Sequence, residues 1–160
     1  MSLGFWVVVV VMGFFIGSIM GLKPKMSDVR LGKCRLFART IQLHPKLIPT
    51  PAFINTPKKM TASYTVIDDT WRLPFAELIA KDGTWHSDTP HPLSSVKIEH
   101  ELSKYFLGLT IKANSVSLFW QDDTYVKSYA VRDDNADIQI QQDLQTLKAY
   151  LIQIATSHKT

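Results

Sequence analysis

A stretch of 20 residues without a charged side chain, from Leu3 to Leu22, limits what this 160-residue chain can fold into. A helix of that length rises about 30 Å at about 1.5 Å per residue, which matches the hydrocarbon thickness of a bilayer. The run of valines from Val7 to Val11 does not oppose a helix there, because lipid offers the backbone no other hydrogen-bonding partner. We therefore interpret residues 3–22 as a single-pass transmembrane anchor.

The main alternative for this segment is a cleaved signal peptide, which is also N-terminal and apolar. A signal peptide begins with basic residues and ends at a cleavage site flanked by small residues. Residues 1–4 carry no charged side chain, and the apolar run ends in Met20-Gly21-Leu22 before Lys23-Pro24. These features favour an uncleaved anchor, and a buried helix of a soluble protein is the remaining alternative.

Three glycines lie at intervals of four inside the apolar segment, at Gly13, Gly17 and Gly21, in a chain that has only seven. Small residues with this spacing leave a groove on one face of a transmembrane helix, where the backbone of another helix can approach closely. Glycine is also frequent in membrane helices in general. We expect a helix-packing face, in a homodimer or against another membrane protein.

The positive charge of the chain is concentrated directly after the apolar segment. Residues 23–39 hold six basic residues and one acid, whereas residues 40–160 hold 12 basic and 13 acidic residues. The six are Lys23, Lys25, Arg30, Lys33, Arg35 and Arg39. No basic residue precedes the segment, so the positive-inside rule predicts an N-terminus outside and the rest of the chain in the cytoplasm. We expect these cations to lie at the membrane surface.

Residues 27–43 have the pattern of a basic amphipathic juxtamembrane helix. Apolar residues recur at spacings of three and four, at Leu31, Cys34, Phe37, Ala38 and Ile41. Two interpretations stay open. The helix lies on the anionic inner leaflet, or it packs its apolar side on the domain that follows.

The remaining residues predict one α+β domain after a proline-rich stretch. Residues 44–60 hold four of the eight prolines and predict a linker or an edge segment. Within residues 61–157, strands are predicted at 63–67, 73–80, 84–86, 109–113, 116–121 and 125–131, and helices at 94–106 and 137–156. Hairpins are predicted at Asp82-Gly83 and Asp122-Asp123. We expect a mainly antiparallel sheet, covered on one face by the two helices.

The best candidate for metal binding is the stretch WHSDTPHP, which contains His86, Asp88 and His91. Its spacing corresponds to no established zinc-ligand pattern, and Pro90 and Pro92 indicate a loop. We therefore interpret it as a polar surface loop. No metal site and no cofactor are predicted.

Other reactive or charged groups also lack a catalytic pattern. The single cysteine, Cys34, excludes an intramolecular disulfide and would need a histidine partner to act as a nucleophile. It is compatible with a reducing compartment. Three pairs of acids are interpreted as residues of turns or helix starts, where Asp forms local hydrogen bonds, at Asp68-Asp69, Asp122-Asp123 and Asp133-Asp134. Nucleic-acid binding is not expected, because no basic face is interleaved with aromatic residues.

Spaced residues along most of the chain carry a resemblance to a group of proteins. They are Lys23-Pro24, Arg35-Leu36-Phe37-Ala38-Arg39 with Leu43, Trp71, Gly83-Thr84-Trp85 and Phe119-Trp120. The layout resembles short single-pass inner-membrane proteins of gammaproteobacteria, which are sometimes loosely labelled as relatives of the preprotein translocase subunit YajC. The resemblance implies a bacterial inner membrane and a cytoplasmic domain, and it implies no defined activity.

These features together predict a membrane-anchored, non-enzymatic accessory or scaffold protein whose soluble domain binds a protein partner at the cytoplasmic face of the inner membrane. The partners expected are the lipid bilayer and, through the glycine face, a second copy or another membrane protein. Two alternatives stay open. One is a membrane-anchored, hydrolase-like enzyme, and the other is a periplasmic envelope-binding domain.

Overall fold

The computed structural model describes residues 2–22, 24–129 and 133–157. Four helices run through them: α1 (Leu3–Gly21), α2 (Met26–Thr40), α3 (Asp122–Lys127) and α4 (Ala136–Ser157). The six strands are β1 (His44–Pro49), β2 (Met60–Ile67), β3 (Ala76–Lys81), β4 (Thr84–His86), β5 (Phe106–Lys112) and β6 (Ser115–Trp120). The predicted α+β class is confirmed.

The strands form one antiparallel sheet in the order β1-β2-β6-β5-β3-β4. The predicted hairpin at Asp82-Gly83 is present between β3 and β4. Its two residues have φ angles of 51° and 72°. This left-handed backbone suits the tight turns that match the twist of paired strands.

One face of the sheet carries the hydrophobic core. Tyr64 on β2 pairs in register with Leu118 on β6, and both are completely buried beneath α4 and α2. The predicted apolar stripe of the last helix is confirmed, since all five of its residues are buried: Ile140, Leu144, Leu147, Leu151 and Ile154. This stripe packs α4 on the sheet, as its helical period requires.

The opposite face of the sheet carries mostly hydroxyl groups, and we call it the hydroxyl face. Its residues on β2, β5 and β6 include Thr61, Ser63, Thr65, Thr110, Ser115 and Ser117. The hydroxyls of Thr65 and Ser117 lie 2.8 Å apart in a cross-strand hydrogen bond. The loop of residues 50–59 covers part of this face, where Phe53 meets Phe119 edge to face at 5.9 Å.

Residues 44–60 do not form a free linker. Residues 44–49 form the strand β1 at the edge of the sheet, as the second of the two predicted alternatives states. This strand pairs with residues 60–65 of β2. The two prolines of β1 suit an edge, since proline cannot donate to a further strand. The folded unit therefore begins before residue 61, because α2 contributes buried residues to the core, Cys34 and Ala38 among them, and β1 extends the sheet.

The helix predicted at 94–106 is wrong except for one 3₁₀ turn, Ser103–Tyr105. Residues 94–98 instead lie along β4, where the Trp85 N–H donates to the Val96 carbonyl and the Ser95 N–H donates to the Trp85 carbonyl. Ser95 has a φ of 69°, which no α-helix accommodates. The second covering helix of the sheet is therefore α2.

The strand predicted at 125–131 and the hairpin at Asp122-Asp123 are also wrong. Asp122 begins α3, and the helix turns the adjacent Tyr125 and Val126 toward the core together. Residues 130 and 131 of the predicted strand lie outside the described residues. The hairpin in this part of the sheet is at Ala113-Asn114, between β5 and β6.

Candidate functional site

Helix α1 has the length and composition of a membrane span. It is 19 residues long, its mean hydropathy is 2.4, and none of its residues is buried against the rest of the protein. Among the described residues it is the one helix that meets this criterion. A membrane anchor and a signal sequence share this character.

The three glycines predicted to pack another helix lie together on one side of α1. At about 100° per residue, Gly13, Gly17 and Gly21 cover an arc of about 80°. Apart from its chain neighbours and the adjacent backbone of α1, a Cβ atom added at any of them would have no heavy atom of the described chain within 4 Å. The neighbouring Ser18 hydroxyl donates to the Phe14 carbonyl at 2.8 Å, so its polar group is satisfied within the helix. The packing role of the glycines stays a prediction.

The predicted membrane-surface cations fall into two groups, those that form ion pairs with described residues and those that do not. Lys23 lies outside the described residues. Arg30 is buried, and its Nε lies 3.7 Å from Oδ1 of Asp137 on α4. The Nζ of Lys33 lies 2.8 Å from Oδ2 of the same carboxylate. These two cations hold α2 against α4.

Lys25 and Arg39 form the second group, since both are exposed and neither has an ion-pair partner among the described residues. Arg35 belongs to the first group, since it forms an ion pair with Asp122. Its Nε and Nη2 donate to the two carboxylate oxygens of Asp122 at 2.8 and 3.2 Å.

Asp122 is the centre of a buried polar cluster between α2, β2 and α3. Besides the contacts from Arg35, it accepts a hydrogen bond of 3.2 Å from the Tyr64 hydroxyl. That hydroxyl also lies 3.8 Å from the Cys34 sulfur. Tyr64 is completely buried and Asp122 is 2% exposed, so the cluster is closed to solvent on this side.

The cluster keeps its potential nucleophiles protonated. Burial raises the pKa of the Cys34 thiol to about 12, despite the hydrogen bond to Tyr64. Burial, with the nearby Cys34, also raises the pKa of Tyr64, and the hydrogen bond to Asp122 raises the pKa of Arg35. No histidine contacts the thiol within the described structure, so the arrangement fastens α2 to the domain and offers no reactive thiolate.

A second polar cluster fastens α3 to α4. The buried Asp143 accepts hydrogen bonds from the hydroxyls of Tyr125 and Tyr129 and, at 2.8 Å, from Nε2 of Gln139. Burial raises the pKa of Tyr125, and its hydrogen bond to Asp143 adds to this effect. Sequence reasoning missed this cluster. The available signal was the position of Asp143 next to Leu144 in the apolar stripe of α4, because a helix places such an acid close to the core.

The stretch with His86, Asp88 and His91 does not form a metal site. His86 and Asp88 lie at one cavity, whereas His91 is turned into its own loop, where Nδ1 accepts a hydrogen bond of 3.2 Å from the Leu93 N–H. Among the described residues, no three His, Cys, Asp or Glu side chains are grouped closely enough to hold a metal ion.

The cavity beside His86 is an open groove on the hydroxyl face, and we call it the Phe75 groove. It has a volume of about 390 Å³ and is lined by Phe53, Phe75, Glu77, Ile79 and residues 86–90. Phe75 is 67% exposed, and it is the one exposed Phe, Trp or Tyr side chain outside α1 in the described part of the chain.

The rim of the Phe75 groove is acidic. Glu77 and Asp88 are exposed, and neither forms an ion pair with a described residue. An apolar floor with a carboxylate rim suits an apolar side chain that is flanked by positive charge. Sequence reasoning missed this groove, because the exposure of Phe75 depends on where the loop of residues 50–59 lies.

In comparisons with known proteins, no protein-family model matches the chain, and no curated protein or solved structure matches it either. These comparisons therefore assign no function to the protein.

Proposed function

We propose that this protein is a membrane-anchored, non-enzymatic accessory or scaffold protein, whose domain binds a protein partner at the cytoplasmic face of a bacterial inner membrane. The exposed Phe75 in its groove is the observation that carries the proposal. Aromatic side chains are enriched at the buried centres of protein interfaces, and the other large aromatic side chains of this domain are buried or half-buried.

The character of the groove supports a particular kind of partner. Phe75 and Ile79 offer apolar contact, and Glu77 and Asp88 leave two carboxylates at the rim. A protein segment that carries an apolar residue beside Lys or Arg would complement both features. We propose such a segment, on a membrane protein or on a protein brought to the membrane.

The way the domain is attached supports a role at the membrane. Four residues separate the end of α1 from the start of α2, and α2 is fastened to the domain through Arg35 and Lys33. A domain attached in this way stays close to the bilayer rather than at the end of a free linker. The cations that follow the span, with none before it, support the cytoplasmic side. The resemblance to short inner-membrane proteins supports the same location.

A non-enzymatic role is supported by the state of the reactive groups. The Cys34 thiol is buried and protonated, and His86, Asp88 and His91 do not converge. A catalytic nucleophile needs a base within hydrogen-bond reach and access for its substrate.

Site-specific photocrosslinking of the full chain in membranes tests the partner. A benzophenone amino acid at position 75 should give a discrete crosslinked product, because this side chain lies at the proposed interface. The matched control is position 96, where Val96 is also an exposed apolar residue, 43% accessible, but lies along β4. A discrete product at 75 that is lost on changing Glu77 to Lys supports the proposal. No product at 75, or the same product at both positions, contradicts it.

Reporter fusions at the C-terminus test the side of the membrane. We expect a fluorescent protein that folds only in the cytoplasm to be active, and alkaline phosphatase, which needs the periplasm, to be inactive. The reverse result would contradict the cytoplasmic location and favour a periplasmic envelope-binding domain.

A further inference from the structure

Helix α2 has a second, outward side that the domain does not use. Its inner side places Cys34 and Ala38 in the core. At about 100° per residue, Val29, Leu36 and Arg39 lie on the opposite side of the helix. Val29 is 38% exposed and Leu36 is 63% exposed, although each also borders a cavity beside α4, Val29 together with Asp133 and Asp134, and Leu36 together with Ile140.

The connection to α1 keeps this outward side near the bilayer. Helix α1 ends at Gly21 and α2 begins at Met26. A fully extended chain covers at most about 3.6 Å per residue, so the start of α2 lies within about 18 Å of the end of the span. Helix α2 cannot leave the domain to reach lipid, because Arg35 and Cys34 are held in the cluster around Asp122.

The charges beside the two aliphatic residues differ on the two flanks of the helix. Lys25 and Arg39 are exposed on one flank and have no ion-pair partner in the described residues, and the exposed Asp28 lies on the same flank, about 20° from Arg39 around the helix. On the other flank, Lys33 is paired with Asp137, and Asp133 and Asp134 lie nearby. The first flank keeps a formal charge of +1 from Lys25, Arg39 and Asp28, which anionic headgroups would attract, whereas they would repel the acids of the second flank.

We infer that α2 docks the domain on the surface of an anionic phospholipid bilayer, with Val29 and Leu36 inserted at the headgroup boundary and Lys25 and Arg39 against the phosphates. The helix is rolled so that the acids beside α4 stay out of the headgroups. This orientation directs the hydroxyl face and the Phe75 groove away from the lipid. The inference rests on the membrane anchor in the proposed function, but it does not depend on any protein partner.

Spin-label accessibility in the full chain, reconstituted in lipid nanodiscs, tests this docking. With Cys34→Ser as background, labels are placed at Leu36→Cys and, as a control, at Ile67→Cys, an exposed aliphatic position at the end of β2, 52% accessible. In nanodiscs with phosphatidylglycerol, we expect collisions with a water-soluble nickel chelate to be roughly threefold or more lower at position 36 than at position 67. In phosphatidylcholine alone this difference should shrink.

Charge variants and a second label position complete the test. Changing Lys25 and Arg39 together to Gln should remove the response to phosphatidylglycerol. Val29→Cys gives the same readout if Leu36→Cys does not fold. Equal nickel accessibility at the α2 position and position 67, or no change between the two lipids, would overturn the inference. The crosslinking result at position 75 is independent of this outcome, so failure of the docking and failure of the partner proposal are distinguishable.

Discussion

Arg35 on α2 and Asp122 at the start of α3 form a two-contact ion pair, although they are 87 residues apart in the chain. Asp122 is 2% exposed, and it also accepts a hydrogen bond from the Tyr64 hydroxyl. The pair joins the helix that follows the apolar helix α1 to the start of α3, directly after the central strand β6. It makes α2 part of the domain.

Removing the Asp122 carboxylate should therefore be strongly destabilising. In Asp122→Ala, the Tyr64 hydroxyl is left without this acceptor in a buried site and Arg35 loses both contacts, which we expect to lower the free energy of unfolding by about 3 kcal/mol. Urea denaturation in detergent micelles, followed by tryptophan fluorescence, measures this change.

The matched control for this cluster is Lys58→Met. Lys58 pairs with the neighbouring Asp123 at 2.9 Å, but the side chains are 40% and 34% exposed. We expect a cost below about 1 kcal/mol, as for other surface pairs. If Asp122→Ala costs no more than Lys58→Met, the buried pair does not hold α2 in place.

The Cys34 thiol should be unreactive in the folded protein. With a pKa of about 12, roughly one thiol in 10,000 is ionised at pH 8, and burial blocks access as well. We expect no reaction with a thiol reagent in mild detergent and one equivalent in concentrated guanidinium chloride. Rapid labelling of the native protein would contradict the buried position of Cys34.

Stability should fall as the pH is lowered below about 6.5 because of His100. Burial lowers the pKa of this imidazole, which packs against the rings of Phe106 and Tyr150 at 5.5 and 5.3 Å. Below about pH 6.5 the imidazole of His100 binds a proton more readily in the unfolded state than in the folded state. The folded state therefore has its full stability above the pKa of the unfolded state. This stabilisation is lost as the pH falls from there toward the folded pKa.

Denaturation midpoints at pH 7.5 and 5.5 test this prediction. His100→Gln should lose less stability over this interval than the wild type. Tyr150→Phe is the control, because it removes a hydroxyl that accepts a hydrogen bond from Trp85 but leaves the imidazole in place. It should be less stable at both pH values and keep the wild-type loss between them. If His100→Gln loses as much stability between pH 7.5 and 5.5 as the wild type does, another group causes the effect.

Glycine is required at position 108 by the approach of the loop of residues 50–59. A Cβ atom there would lie 2.9 Å from the Leu78 carbonyl oxygen, 3.0 Å from Phe53 and 3.1 Å from Ile54. Gly108→Ala should cost about 1–3 kcal/mol of unfolding free energy, because backbone and loop must both shift.

Gly32→Ala is the matched control for this change. Gly32 lies inside α2, and a Cβ atom added there would meet no heavy atom of the described chain within 4 Å apart from its chain neighbours and the adjacent backbone of α2. Alanine should stabilise the helix there by about 0.5–1 kcal/mol. The two variants should thus move the urea midpoint in opposite directions, and a tolerated Gly108→Ala would show that the loop does not pack as described.

The glycine face of α1 predicts association between membrane helices. Gly17→Leu fills the middle of the groove and should abolish the signal in a membrane two-hybrid assay of the full chain. The control is Val8→Leu, on the opposite side of α1 by its helical position. Association that survives Gly17→Leu at the wild-type level would show that the glycines do not form the contact.

Elements with a local period were predictable from the sequence. The stripe of α4 repeats at three and four residues, and all of its members are buried, since one helix face has one environment. The turn at Asp82-Gly83 was predictable for a similar reason, because two adjacent residues determine its geometry.

Elements that depend on distant contacts were not predictable in the same way. Asp122 and Asp123 resemble turn residues, and only the presence of Arg35 from α2 makes a buried carboxylate at the start of a helix favourable. Residues 94–98 belong to a stretch whose apolar residues have helical spacing. Their backbone nevertheless forms hydrogen bonds with the edge strand β4, and these tertiary hydrogen bonds outweigh the local helical pattern.

The sequence by itself determined the apolar span, the cations beside it, the α+β class and the last helix, because length, charge and periodicity act over neighbouring residues. Tertiary structure decided whether the inner side of α2 belongs to lipid or to the domain. Three of its cations find carboxylates on α3 and α4, which leaves only its outward side for another contact. Tertiary structure likewise exposed Phe75 and covered the other aromatic residues of the domain, since exposure depends on which distant segments lie over a side chain.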